Sequence, residues 1–70
     1  MTPSIMRLFW DLVSQAQPSL LLHLDDDKLS HWLVNKVQQQ SELDRSQEND
    51  LAKYINDRIP LIRDMATGHS

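Results

Sequence analysis

Three stretches of this chain repeat apolar side chains at intervals of three and four, the spacing that lines them along one face of a helix. Ile5, Leu8, Phe9, Leu12 and Val13 form the first stripe. Leu29, Trp32, Leu33 and Val37 form the second, and Leu51, Tyr54, Ile55, Ile59 and Ile62 the third. Each stripe needs an apolar partner, and three of them can satisfy one another in a single core. Glycine occurs once, at Gly68, and proline only at Pro3, Pro18 and Pro60. A β-rich domain of this size needs more turn residues than that, so the fold reads as all-α.

The local signals place the elements. Thr2 can cap a first helix whose first residue is Pro3, where a missing N–H does no harm. That helix is predicted over residues 3–17, because the residue before Pro18 is pushed out of helical geometry. The segment Pro18-Ser19-Leu20-Leu21-Leu22-His23-Leu24 is apolar but short, and is predicted as a helical turn over 18–24 that plugs the end of the core. Asp25 or Asp26 then caps a second main helix over 26–40, with acidic side chains at its positive dipole end. Asp44-x-x-Gln47 has the form of a capping box, with a rival start at Ser41-x-x-Asp44, and opens a third main helix over 45–66. Pro60 lies inside that helix and removes the bond its N–H would make to the Asn56 carbonyl. The stripe stays in phase on both sides of it, which favours one continuous helix kinked near Pro60 over a break at Ile59. The expectation is therefore a small bundle of three main helices plus one short turn.

Seventy residues make one domain at most, placed here at residues 1–66 with a flexible tail at 67–70. So short a chain buries only about 60% of the surface its unfolded form exposes, leaving a thin core. Disulfides, metals, tight packing and self-association are the usual remedies. Cysteine is absent, which leaves out disulfides and thiolate metal sites and is compatible with a reducing compartment.

Charge and chemistry then narrow the function classes. Ten carboxylates face seven Lys and Arg, and the cations are scattered among acids, whereas a nucleic-acid reader concentrates them. The longest aliphatic run, Leu20-Leu21-Leu22, is far short of the ~20 residues that span a bilayer. The start, Met1-Thr2-Pro3-Ser4-Ile5-Met6-Arg7, lacks the basic and long apolar regions of a secretory signal. The chain reads as soluble and cytoplasmic, with no membrane partner. His23, His31 and His69 have no ligand spacing between them. Counted from Asp25 as the first position of a calcium loop, Ser30 falls where glycine belongs and Lys36 where the bidentate glutamate belongs. Ser30 and His31 are adjacent, and adjacent helical side chains point about 100° apart, so they form no nucleophile–base pair by sequence alone. No catalytic, metal or cofactor site is expected, and the chain is read as non-enzymatic.

Interaction is what remains. Phe9 and Trp10 cannot both point inward, so if Phe9 is core, Trp10 lies on the flank with Met6. Val34 stands in the same relation to the second stripe, and Leu61 to the third. Met6, Trp10, Val34 and Leu61 are the candidate partner-binding residues, with coverage of Trp10 by the 20–24 insert or by the last helix as the competing reading. The function expected is a protein–protein interaction or regulatory module whose partner is unknown. One alternative is a small DNA-associated regulator using Lys53, Arg58 and Arg63 on phosphates. Another is a homodimeric structural bundle joined through the Met6–Trp10 flank.

The acidic cap leading into Leu29-Ser30-His31-Trp32-Leu33, followed by Tyr54-Ile55-Asn56-Asp57-Arg58-Ile59-Pro60-Leu61-Ile62-Arg63-Asp64-Met65-Ala66, is similar to short, uncharacterised all-helical proteins that recur in cyanobacteria. The resemblance covers most of the chain. It implies a source and a helical fold, and no functional residue is carried over from it.

Overall fold

A computed structural model describes residues 2–67, and these form four helices: α1 (Pro3–Gln15), α2 (Pro18–His23), α3 (Asp26–Gln40) and α4 (Arg45–Thr67). The all-α bundle expected from the stripes is the architecture observed. Thr2 caps α1, its hydroxyl accepting from the Ile5 N–H at 3.2 Å with Pro3 at the first helical position. The helix stops two residues earlier than predicted. Ala16 and Gln17 are both extended ahead of Pro18, with ψ of 148° and 133°. Pro18 restricts Gln17, the helix ends one residue earlier still, and the Ala16 N–H satisfies the carbonyls of Leu12 and Val13.

Asp25 caps α3 by accepting from the Lys28 N–H at 2.8 Å. Asp44 and Gln47 form the full reciprocal box, Gln47 N–H to Asp44 Oδ1 at 2.8 Å and Asp44 N–H to Gln47 Oε1 at 3.2 Å. The rival start at Ser41 is not used. Helix α4 runs unbroken through Pro60. Both Pro60 and Asn56 are exposed, so the missing hydrogen bond falls on the solvent face, where water can take the free Asn56 carbonyl. Thr67, expected in the tail, is the last residue of α4; the rest of that expected tail lies outside the described residues. Among the described residues no helix is long and apolar enough to cross a membrane.

The core is the three stripes closed on one another. Phe9, Leu29, Leu33, Val37, Leu51, Ile55 and Ile62 are fully buried, joined by Ile5, Val13, Leu21 and Ile59. Helix α3 lies in the middle, packing against α1 on one side and α4 on the other, while α2 closes the end against α4. Leu21 is the plug that the short apolar segment was expected to supply. Leu43, the one apolar residue of the polar link, is half-buried against the same core.

Restoring the missing α4 hydrogen bond should test how far this helix limits stability. Pro60→Ala regains an N–H and removes a residue that costs about 3 kcal/mol in a helix interior, against a smaller gain in unfolded-chain entropy. The expected net is a stabilisation of about 2 kcal/mol, which thermal unfolding would register as a rise of roughly 8–15 °C in a domain this small. An unchanged or lowered Tm would mean that proline is favoured at this position.

Candidate functional site

The described residues present two distinct features around the core: a set of side chains that tie α4 to α1 and α2, and the surfaces left open beside them. The tie to α1 is aromatic. Trp10 is half-buried, and its indole Nε1–H donates to the Tyr54 hydroxyl at 3.0 Å across 44 residues of sequence. Phe9 stands edge-on to both rings, with centroids 4.9 Å from Trp10 and 5.8 Å from Tyr54. Edge-to-face pairs at such distances add about 0.5–1.5 kcal/mol beyond their burial, and the hydrogen bond lets the indole be covered without an orphaned donor. The last helix therefore packs against part of Trp10, which stays half-buried. The Arg58 guanidinium caps the cluster, 4.8 Å from the Tyr54 ring centroid. On α3, Lys36 lies over Trp32 at 5.4 Å in the same way.

The tie to α2 is a single arginine. Six residues cannot stabilise a helix by themselves, and the last carbonyls of α2 have no helical partners. Arg63 supplies them. Its Nη1 donates to Leu21 O at 3.0 Å and Leu22 O at 3.4 Å, and its Nη2 to Leu24 O at 2.7 Å and to Asp26 Oδ1 at 2.9 Å. One planar fork therefore ends α2 and pins the start of α3. The Asp26 side chain is 72% exposed, so that ion pair adds little, and the carbonyl bonds carry the tie. Of the three cations assigned to a DNA-contacting role, Arg63 is thus engaged inside the fold and Arg58 rests on Tyr54, while Lys53 is exposed.

The four candidate partner residues separate. Leu61 is exposed (47%), and it has company the sequence did not single out in Met65 and Leu22 (48% and 43%). Met6 is half-buried, as Trp10 is. Val34 is buried and belongs to the core cluster. Of these three, Met65 lines an apolar groove of about 250 Å3 where α1, α2 and α4 meet, together with Val13, Pro18 and Leu21. Met65 falls four residues after Leu61 and Leu22 four after Pro18, so each pair shares a helix face. Met65 fits the third stripe's phase as well as the flank, and periodicity alone did not decide between them.

A second groove, about 280 Å3, runs between α3 and α4 and is polar. His31 lies on its wall and His23 ends α2, both exposed. His69 lies outside the described residues, and among those described no three His, Asp or Glu side chains converge. Compared with known protein families, curated proteins and solved structures, the chain matches none. The assignment of function consequently starts from these surfaces.

If Arg63 holds α2 in place, its loss should be local before it is global. Arg63→Ala is expected to cost about 2–4 kcal/mol, the worth of one or two hydrogen bonds to a charged donor. Amide hydrogen exchange should accelerate first in residues 20–24. Arg63→Lys should recover only part of this, since one ammonium cannot bridge the three carbonyls. Equal protection of residues 20–24 in all three proteins would remove Arg63 from this role.

Proposed function

We propose that the chain is a non-enzymatic interaction module that receives an apolar helical segment of a partner protein. The supporting observation is an apolar strip on α4, Met65 on the wall of the groove between α1, α2 and α4 and Leu61 one turn before it on the same face, with Leu22 exposed on α2. In a core this small every large apolar side chain is at a premium, yet these three stand about half outside it. A stable pair of copies takes about 20–30 residues a side, far more than this strip offers. A helix laid in a groove is held by a few anchors three to four residues apart, which matches its width. Methionine suits such a role because its unbranched stem adapts to the incoming surface. The absence of cysteine suits an action in the cytoplasm.

A photo-reactive phenylalanine analogue in place of Leu61, with the same analogue in place of Lys53 as control, tests this reading in cells. The expected result is a discrete partner protein crosslinked from position 61 only. Met65→Glu, half-exposed and harmless to the fold, should reduce that product at least tenfold. Crosslinking of the chain to itself would replace this reading with the homodimeric bundle. Equal products from both positions, or none, would remove the strip as a binding face.

A further inference from the structure

The polar groove between α3 and α4 carries an inference that is independent of the apolar strip. Ser30 and Val34, both buried, and Ala52, half-buried, line it at its inner side. Ser30 is the buried polar residue of the described chain, 6% exposed. None of the side-chain hydrogen bonds of the described residues uses its hydroxyl. No side-chain oxygen or nitrogen there is both sealed from solvent and unpartnered, so the hydroxyl keeps its access through the groove that it lines. A helical serine can return its hydroxyl to the carbonyl four residues before; this one is left open instead.

The walls favour one kind of occupant. Glu48, Asn35 and Asn49 all line the groove with oxygens able to accept. Glu48 is held there by Gln38, whose Nε2 donates to Glu48 Oε2 at 2.9 Å. No lysine or arginine lines the site, and His31 is the one basic side chain on its wall. Arg45 precedes Glu48 by three residues on the same helix, yet Arg63–Asp26 is the one ion pair among the described residues, so no described basic side chain pairs with this carboxylate. Beyond Gln38 the groove continues into a shallower one bearing Glu42 and Asp44, which extends the negative field towards solvent. An anion would meet the Glu48 carboxylate with no lysine or arginine beside it. A cationic nitrogen donor would meet a carboxylate, a hydroxyl and two amide oxygens, while Val34 and Ala52 suit a methylene stem behind it.

We propose that the α3–α4 groove binds an ammonium or guanidinium group carried on an alkyl stem, with Glu48 as its charge partner and Ser30 as the acceptor at its inner side. The same chemistry is offered by a free alkylamine and by a lysine or arginine side chain of a protein. Backbone amide shifts of the full chain, followed during titration, separate the two. Agmatine serves as the free cation and a capped Gly-Gly-Arg-Gly-Gly peptide as the side-chain source. Saturable shifts centred on Ser30, Asn35 and Asn49 are expected from at least one of them. Tighter binding of the peptide assigns the site to a protein side chain, and binding of agmatine as tight or tighter assigns it to a free amine. Glu48→Gln and Ser30→Ala should each weaken binding at least fivefold while keeping the helical circular dichroism. Asp64→Asn, the same loss of charge elsewhere on α4, should not. The proposal is overturned if butyrate shifts the same amides equally, if Glu48→Gln binds like the parent, or if neither cation produces saturable shifts there. None of these outcomes depends on Leu61 or Met65, so failure here leaves the apolar strip untouched, and the reverse holds.

Discussion

The guanidinium of Arg63 decides whether the bundle has a closed end. Without it, α2 would be six residues of helix with unpaired carbonyls, held to the core by the burial of Leu21 alone. With it, the carbonyls of Leu21, Leu22 and Leu24 are taken by one rigid donor, and the chain is held at the angle that lets Asp25 cap α3. The charge stays partly in water and keeps its hydration on one side, which lowers the desolvation that a sealed ion pair would incur. The long α4 is what allows this. Its N-terminal half supplies Leu51 and Ile55 to the core, and its C-terminal half carries Ile62 and Arg63 to the end that α2 closes.

How much of this could be read from the sequence follows the range of each interaction. Thr2, Asp25 and the Asp44–Gln47 box act on backbone groups three residues away, so residue type and spacing sufficed to place three helix starts. The stripes likewise named the fully buried residues, because periodicity records which side of a helix faces inward. The Trp10–Tyr54 bond and the Arg63 contacts join residues 37 to 44 positions apart. No local pattern encodes the angle at which two helices meet, so Arg63 looked like one more surface cation. Val34 shows the same limit at finer scale. It adjoins Leu33, which suggested a flank, but α3 lies between α1 and α4 and buries a wider arc than a surface helix does.

That central position also explains why the two open surfaces differ in character. Helix α3 faces α1 and α4 with Leu29, Leu33 and Val37, and at the margin of its α4 contact the residues turn polar: Ser30, Asn35, Gln38. The opposite margin of α4 meets α1 and α2, where aliphatic side chains line the groove and polar groups are few. One helix thus separates a polar face from an apolar one. A partner that covers the strip at Leu61 and Met65 does not occlude the groove at Glu48, because both lie on α4 but on different sides and more than three turns apart along it.

The residue that most opposes a purely structural account is Ser30. At a helical position 6% exposed, alanine would fill nearly the same volume, carry a higher helix propensity and bury no hydroxyl. In a domain whose stability is set by a dozen buried apolar side chains, local energetics all favour the smaller, apolar residue. A hydroxyl that lines a groove, open to what enters and bound to none of the described residues, answers to a different requirement. Stability is given up at binding sites because the groups that recognise a ligand must wait unsatisfied until it arrives. Gln38 shows the complementary device on the wall: it spends its amide on orienting Glu48 and so fixes the one charge of the groove before any occupant is present.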